Sequence, residues 1–266
     1  MDTIASHSST ARPALRTAAL LRFARRAVEA MAAGAILTVL AASGRAWAIE
    51  PWPEIPLPPK ADVQWVAQSM RVNGVPTRVM QFQSRTNRGE ITEYYRAYWS
   101  GGYKHAPSVR AMGEATIVGQ QHGPYLMTVK VEDAAHGTSS GMISVAQVLG
   151  SKVDRDPGQL PLMNGAHVVS VVESDDPGKH SRTVVVVMPQ PPTSVVQFYQ
   201  ASFANAGWLQ VQGNESARTP GASAGSFVVF ARDEDEMQLS VVAARSGRGS
   251  TLLANLVTKD TGPGAN

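Results

Sequence analysis

Hydrophobic and polar positions along this chain fall into two series that repeat one another. Residues 77–103 (TRVMQFQSRTNRGEITEYYRAYWSGGY) run through an extended stretch, a polar break, an aromatic amphipathic segment, and a Gly followed by a large aromatic. Residues 182–208 (RTVVVVMPQPPTSVVQFYQASFANAGW) do the same about 105 positions later. Repetition at a fixed shift sets the domain count before any other argument.

In the first series, residues 68–72 and 76–83 read as strands on either side of Asn73-Gly74, the dipeptide most typical of a two-residue hairpin. Val79, Gln81 and Gln83 alternate with Met80 and Phe82, as a strand with one wet and one dry face requires. Residues 90–100 carry Ile91, Tyr94, Tyr95 and Tyr98 at helical spacing. Gly101-Gly102 stops that helix. Residues 115–120 and 125–132 read as strands around His122-Gly123-Pro124, and 141–148 as a last strand. The predicted order is ββαβββ.

The second series gives the same order. Strands at 166–173 and 181–188 flank Asp175-Asp176-Pro177-Gly178. Pro191-Pro192-Thr193 opens a helix over 194–205 whose stripe is Val195, Phe198, Tyr199 and Ser202-Phe203, and Gly207 ends it. Strands at 226–232 and 237–244 form a hairpin over Asp233-Glu234-Asp235-Glu236, and 251–258 closes the unit. The expectation is an α+β protein made by tandem duplication of a ββαβββ unit, each an antiparallel sheet packed on one helix. The units span 61–149 and 164–259. A linker at 150–163 joins them, and 260–266 is expected to be a disordered tail.

The 48 residues at the N-terminus have a different character. Arg12, Arg16, Arg22, Arg25 and Arg26 precede a 12-residue apolar run from Met31 to Ala42, and Ala46-Trp47-Ala48 is a small-x-small cleavage pattern. This is the layout of a secretory signal peptide cut after Ala48. The apolar run falls well short of the roughly 20 residues a membrane span needs. Arg25-Arg26 leaves open whether the general or the twin-arginine export route is used.

Removing this leader changes the charge. The whole chain has 24 Lys+Arg and 21 Asp+Glu, but six Arg and only two acids lie in residues 1–48. The remainder holds 18 basic against 19 acidic residues. A nucleic-acid partner, which needs clustered positive charge, is not expected. With no cysteine anywhere, disulfides, thiolate metal sites and cysteine nucleophiles are excluded. Two apolar cores must hold the fold.

Residues 49–60 (IEPWPEIPLPPK) carry five prolines, which remove amide donors and favour an extended arm. That arm reads as a spacer, with Trp52 and Ile55 as candidate partner-contact anchors. Trp99 is a third candidate, because it lies about 100° round the helix from Tyr98 and off the centre of the stripe.

Motifs for catalysis are weak. Gly137-Thr138-Ser139-Ser140-Gly141 and Gly221-Ala222-Ser223-Ala224-Gly225 match G-x-S-x-G, but both precede strand-like runs, whereas a nucleophilic serine needs a strand-to-helix turn. Beyond the leader the histidines are His105, His122, His136, His167 and His180, and none has metal-ligand spacing. The acidic runs at 233–236 and 154–158 lack a glycine-pivoted twelve-residue calcium loop. No cofactor or metal is expected. The aromatic stripes read as core.

These observations favour an exported, periplasmic, non-enzymatic envelope protein that acts through protein–protein contact. Its partner would be an envelope protein, in a secretion or surface-assembly system, and no membrane span would remain after cleavage. A carrier of a small ligand or lipid, with a cavity between helix and sheet, is the alternative. A serine hydrolase using Ser139 or Ser223 comes last.

Overall fold

The computed structural model describes residues 51–103, 105–176, 178–214, 225–244 and 248–259. The expected leader (1–48), the expected tail (260–266) and Ser223 lie outside the described residues. The described part is an α+β protein with two helices on a mostly antiparallel sheet.

The first half contains β1 (Ala61–Val72), β2 (Val75–Ser84), α1 (Arg88–Ser100), β3 (Ser108–Met112), β4 (Ala115–His122), β5 (Tyr125–Asp133) and β6 (Ser139–Gln147). The second contains β7 (His167–Asp176), β8 (Lys179–Met188), α2 (Pro192–Asn205), β9 (Leu209–Asn214), β10 (Gly225–Arg232), β11 (Asp235–Ala243) and β12 (Ser250–Lys259). Each half therefore reads ββαββββ, one strand more than the sequence predicted. The missed strands, β3 and β9, stand at the two ends of a single sheet of order β3-β4-β5-β6-β2-β1-β7-β8-β12-β11-β10-β9. Position by position, the halves run in the same internal order from the centre outward.

One sheet carries two cores. In the first, Phe82, Val118, Met127, Val129 and Ile143 pack under Ile91, Tyr95 and Trp99 of α1. In the second, Val184, Val186, Phe230, Leu239 and Leu252 pack under Val195, Tyr199 and Phe203 of α2. No residue belongs to both. α1 starts where Asn87 Oδ1 accepts the Glu90 amide at 3.0 Å, which satisfies one of the orphan donors of the first turn. α2 starts at Pro191-Pro192, where a missing amide costs nothing.

The stretches expected to be spacer and linker both pack. Ile55 is buried in the first core and Leu160 in the second. Ile55-Pro56-Leu57 and Leu160-Pro161-Leu162 lie about 105 residues apart, the same shift that relates the helices.

The halves meet where Met70–Val72 of β1 pairs with Val172–Ser174 of β7. Asn73 extends this short seam. It turns left-handed (φ 50°) with Gly74 (φ 78°), the two positive angles a tight hairpin needs. Its amide donates to the Val171 carbonyl at 2.7 Å, its Oδ1 accepts the Val171 amide at 2.8 Å, and its carbonyl accepts the Asp154 amide at 2.8 Å. Asn73→Gly keeps the turn but strands the Val171 amide, and a loss of about 1–3 kcal/mol is expected in urea unfolding. Asn73→Asp retains the acceptor and should fall closer to the parent; equal losses for both variants would show that the side-chain bond contributes nothing.

Candidate functional site

In the first half, Tyr95 donates its hydroxyl to the Pro56 carbonyl at 2.7 Å. Ser84 and Thr86 donate to the Pro59 carbonyl at 2.7 and 3.3 Å. Trp52 lies 5.1 Å from the Tyr125 ring, with the Arg78 guanidinium 4.5 Å over its own ring. Residues 52–59 thus form a strap latched across the first core.

This placement decides the three candidate contact residues. Ile55 is 8% exposed, and Trp52 is half-buried against Tyr125 and Arg78. Trp99, placed off the centre of the stripe by helical spacing, is fully enclosed 5.2 Å from Tyr95. Tyr98, placed in the stripe by spacing, is the exposed one at 47%. Burial favours the larger and more apolar indole, while a phenol at the helix end keeps its hydroxyl wet. All three candidates therefore serve the first core in this structure.

The second strap, 157–161, differs from the first at its latch. Tyr199 occupies the place of Tyr95, but its buried hydroxyl has no hydrogen-bond partner among the described residues. Burial pushes both phenols above the ordinary tyrosine range; in Tyr95 the neighbouring Tyr94 adds to this. Tyr95→Phe should cost about 1 kcal/mol through the abandoned Pro56 carbonyl, whereas Tyr199→Phe should be neutral or stabilising. Thermal unfolding of the two variants checks this, and equal costs would contradict the assignment.

Of the two G-x-S-x-G serines, Ser139 alone lies among the described residues, and it is buried. Ser139, the first residue of β6 and 1% exposed, donates its hydroxyl to the Thr86 carbonyl at 2.7 Å. Ser250, the first residue of β12 and equally buried, donates to the Gln190 carbonyl at 2.6 Å. Thr86 and Gln190 each immediately precede a helix N-cap, so the same bond is made twice. Among the described residues no group of three or more His, Cys, Asp or Glu side chains gathers at metal-binding distance. No described helix is long and apolar enough to cross a membrane. His180 pairs with Asp175 at 2.7 Å, and His122 stands edge-on to Tyr103 at 5.5 Å. Asp233-Glu234 makes the β10–β11 turn, Asp235 and Glu236 open β11, and Lys259 reaches Glu234 at 3.5 Å.

Two features remain open to a partner. The first is β9 (LQVQGN), an uncharged end strand that pairs with β10 on one side and, among the described strands, with none on the other. Gln210 accepts from Gln200 of α2 at 3.0 Å, so strand alternation puts Leu209 and Val211 on the face away from the helix. They are 73% and 61% exposed, the most exposed large apolar side chains among the described residues. β3, the opposite end strand, carries Arg110. β9 is not among the strands predicted from the sequence, although the alternation Leu-Gln-Val-Gln after Gly207-Trp208 marks it. The second feature is a groove flanking the strap at 157–161, with cavities of about 210 and 190 Å³.

A family model described as START domain-like matches residues 168–251, which lie within the second half. No curated protein matches the sequence. Among solved structures, the apo immunity protein TplEi of T6SS from Pseudomonas aeruginosa is similar at 10% identity and a TM-score of 0.27, over 79% of this chain and 86% of that one. The same immunity protein complexed with "L" peptide aligns at 10% identity and a TM-score of 0.26, over 78% and 85%.

Proposed function

We propose that this is an exported, non-enzymatic envelope protein, built by tandem duplication, that holds a partner polypeptide by adding the partner's strand to β9. The edge of β9, unpaired among the described strands, carries the proposal. Natural end strands are blunted by charge, proline or bulges against unwanted pairing. β9 keeps a register irregularity, but it has no charge and no proline, and it displays Leu209 and Val211 to water. An unprotected edge of this kind suits strand addition, in which main-chain bonds supply affinity and alternate side chains supply selectivity. The matching occupant is an extended, uncharged segment with apolar residues at every second position, since Leu209 and Val211 would face such residues across the new pair.

Duplication is supported by the repeated element order, the two Φ-Pro-Leu straps and the twice-made serine bond. The leader supports export. The bonded, buried hydroxyl of Ser139 gives the hydrolase reading no support at that serine.

The test uses a photocrosslinking amino acid at 209 or 211 in intact cells, with position 109 on β3 as the control. The expected product is one envelope protein captured from β9. A synthetic peptide spanning the crosslinked segment should bind the purified protein and lose at least tenfold in affinity against Leu209→Lys/Val211→Lys. Crosslinking only from position 109, or peptide binding that ignores both lysines, rules the β9 edge out. N-terminal sequencing of periplasmic protein is expected to begin at Ile49.

A further inference from the structure

We infer that the groove beside residues 157–161 is a binding site for a small carboxylate carried on an apolar body. None of its lining residues belongs to β9, so the two proposals can fail separately.

The site begins with Arg182. On β8 it pairs with Leu256 of β12, whose side chain packs against the second core, so Arg182 lies on the helix-bearing face of the sheet. Gly158 crosses over its guanidinium. That glycine has φ 64°, and a β-carbon there would collide with Arg182 Nη1 and come within 3.3 Å of Cζ. The left-handed backbone favours glycine there, and the absent β-carbon lets the guanidinium lie directly against the strap. Arg182 Nη2 reaches Glu173 at 3.1 Å, but its Nε is buried with no hydrogen-bond partner among the described residues. Buried charged donors are rarely left unbonded. An acceptor from outside the chain would satisfy it.

The surroundings specify the rest of that ligand. Met237 and Leu256 form a floor common to the two cavities, with Gln159 of the strap between them. At the far side Trp208 lines the floor with the Arg232 guanidinium 4.6 Å over its ring. No Asp or Glu lines either cavity. Glu173 is paired to Arg182, and Asp175 to His180, which lines the same cavity, so both nearby carboxylates are engaged while the Arg182 and Arg232 guanidiniums border the apolar floor. Each cavity alone falls below the roughly 300–1,000 Å³ range of drug-sized sites, which suits a small ligand lying along the Met237 and Leu256 floor common to both. The strap above them lacks the tyrosine latch that fixes its counterpart, because the Tyr199 hydroxyl is unbonded where Tyr95 holds Pro56. An anion with an apolar body meets all of these features: its carboxylate at Arg182 and its body along Met237 and Leu256.

Decanoate, below its micellar concentration, is the test ligand. Calorimetry should show one saturable site, and the Met237 methyl resonance of methyl-labelled protein should shift in step with saturation. Arg182→Gln should weaken binding at least tenfold, and decanol should bind at least tenfold more weakly than decanoate. Gln159→Trp, at an exposed strap position, should block binding and serves where Arg182→Gln does not fold. An unmoved Met237 resonance, decanol bound as tightly as decanoate, or full affinity in a folded Arg182→Gln or Gln159→Trp protein overturns the assignment.

Discussion

Gly141→Ala is expected to destabilise the protein by about 3 kcal/mol or more, a larger loss than most overpacking substitutions give. Gly141 sits in β6 between Phe82 of β2 and Val131 of β5. Its backbone angle is one that any residue can adopt; the obstacle is space. An added β-carbon would come within 2.6 Å of Phe82 Cζ and would also collide with the Lys130 carbonyl. The phenyl ring can turn away, but the carbonyl belongs to the sheet. Phe82→Leu placed in the Gly141→Ala background should therefore recover less than half of the loss. Urea unfolding of the single and double variants reads this directly, and a loss under about 1 kcal/mol for Gly141→Ala would contradict the packing described. The last glycine of a hydrolase-like motif is thus a packing glycine.

Trp99→Ala is expected to cost about 3–5 kcal/mol, the range for removing a large aromatic from a core. Its ring is fully buried against Tyr95 in the first core. The neighbouring Tyr98→Ala should cost less than about 1 kcal/mol, because Tyr98 is 47% exposed. Thermal unfolding of the pair separates the two readings of α1. A large loss for Tyr98 and a small one for Trp99 would restore the stripe that helical spacing alone suggests.

Much of the fold was legible because its signals are local. Asn73-Gly74 marks its hairpin through backbone angles that few residues accept, and Pro191-Pro192 and Gly207 bracket α2 for similar reasons. Strands buried on one face, such as β5, alternate in burial along their length. β3 and β9 escaped because an end strand has one neighbour and little burial: four of the five residues of β3 are exposed, so no dry face imposes a period. The straps escaped for another reason. Proline-rich sequence reports extension and says nothing about what it lies on, so Ile55 and Leu160 look like spacer residues until the grooves beneath them are seen. The position of Trp99 depended on which of two adjacent aromatics fits the space under α1, and spacing cannot decide that. The Arg182 groove is made by residues far apart in the chain and leaves no linear mark.

The seam between β1 and β7 is three paired residues long, with Asn73 stitched on at its end. Among the described residues the two cores share no side chain, and each strap buries its anchor in its own core. Heat or force should therefore meet two fuses in series. The half with the unlatched tyrosine is expected to blow first in calorimetry, while the other stays folded behind a junction that works as a pivot.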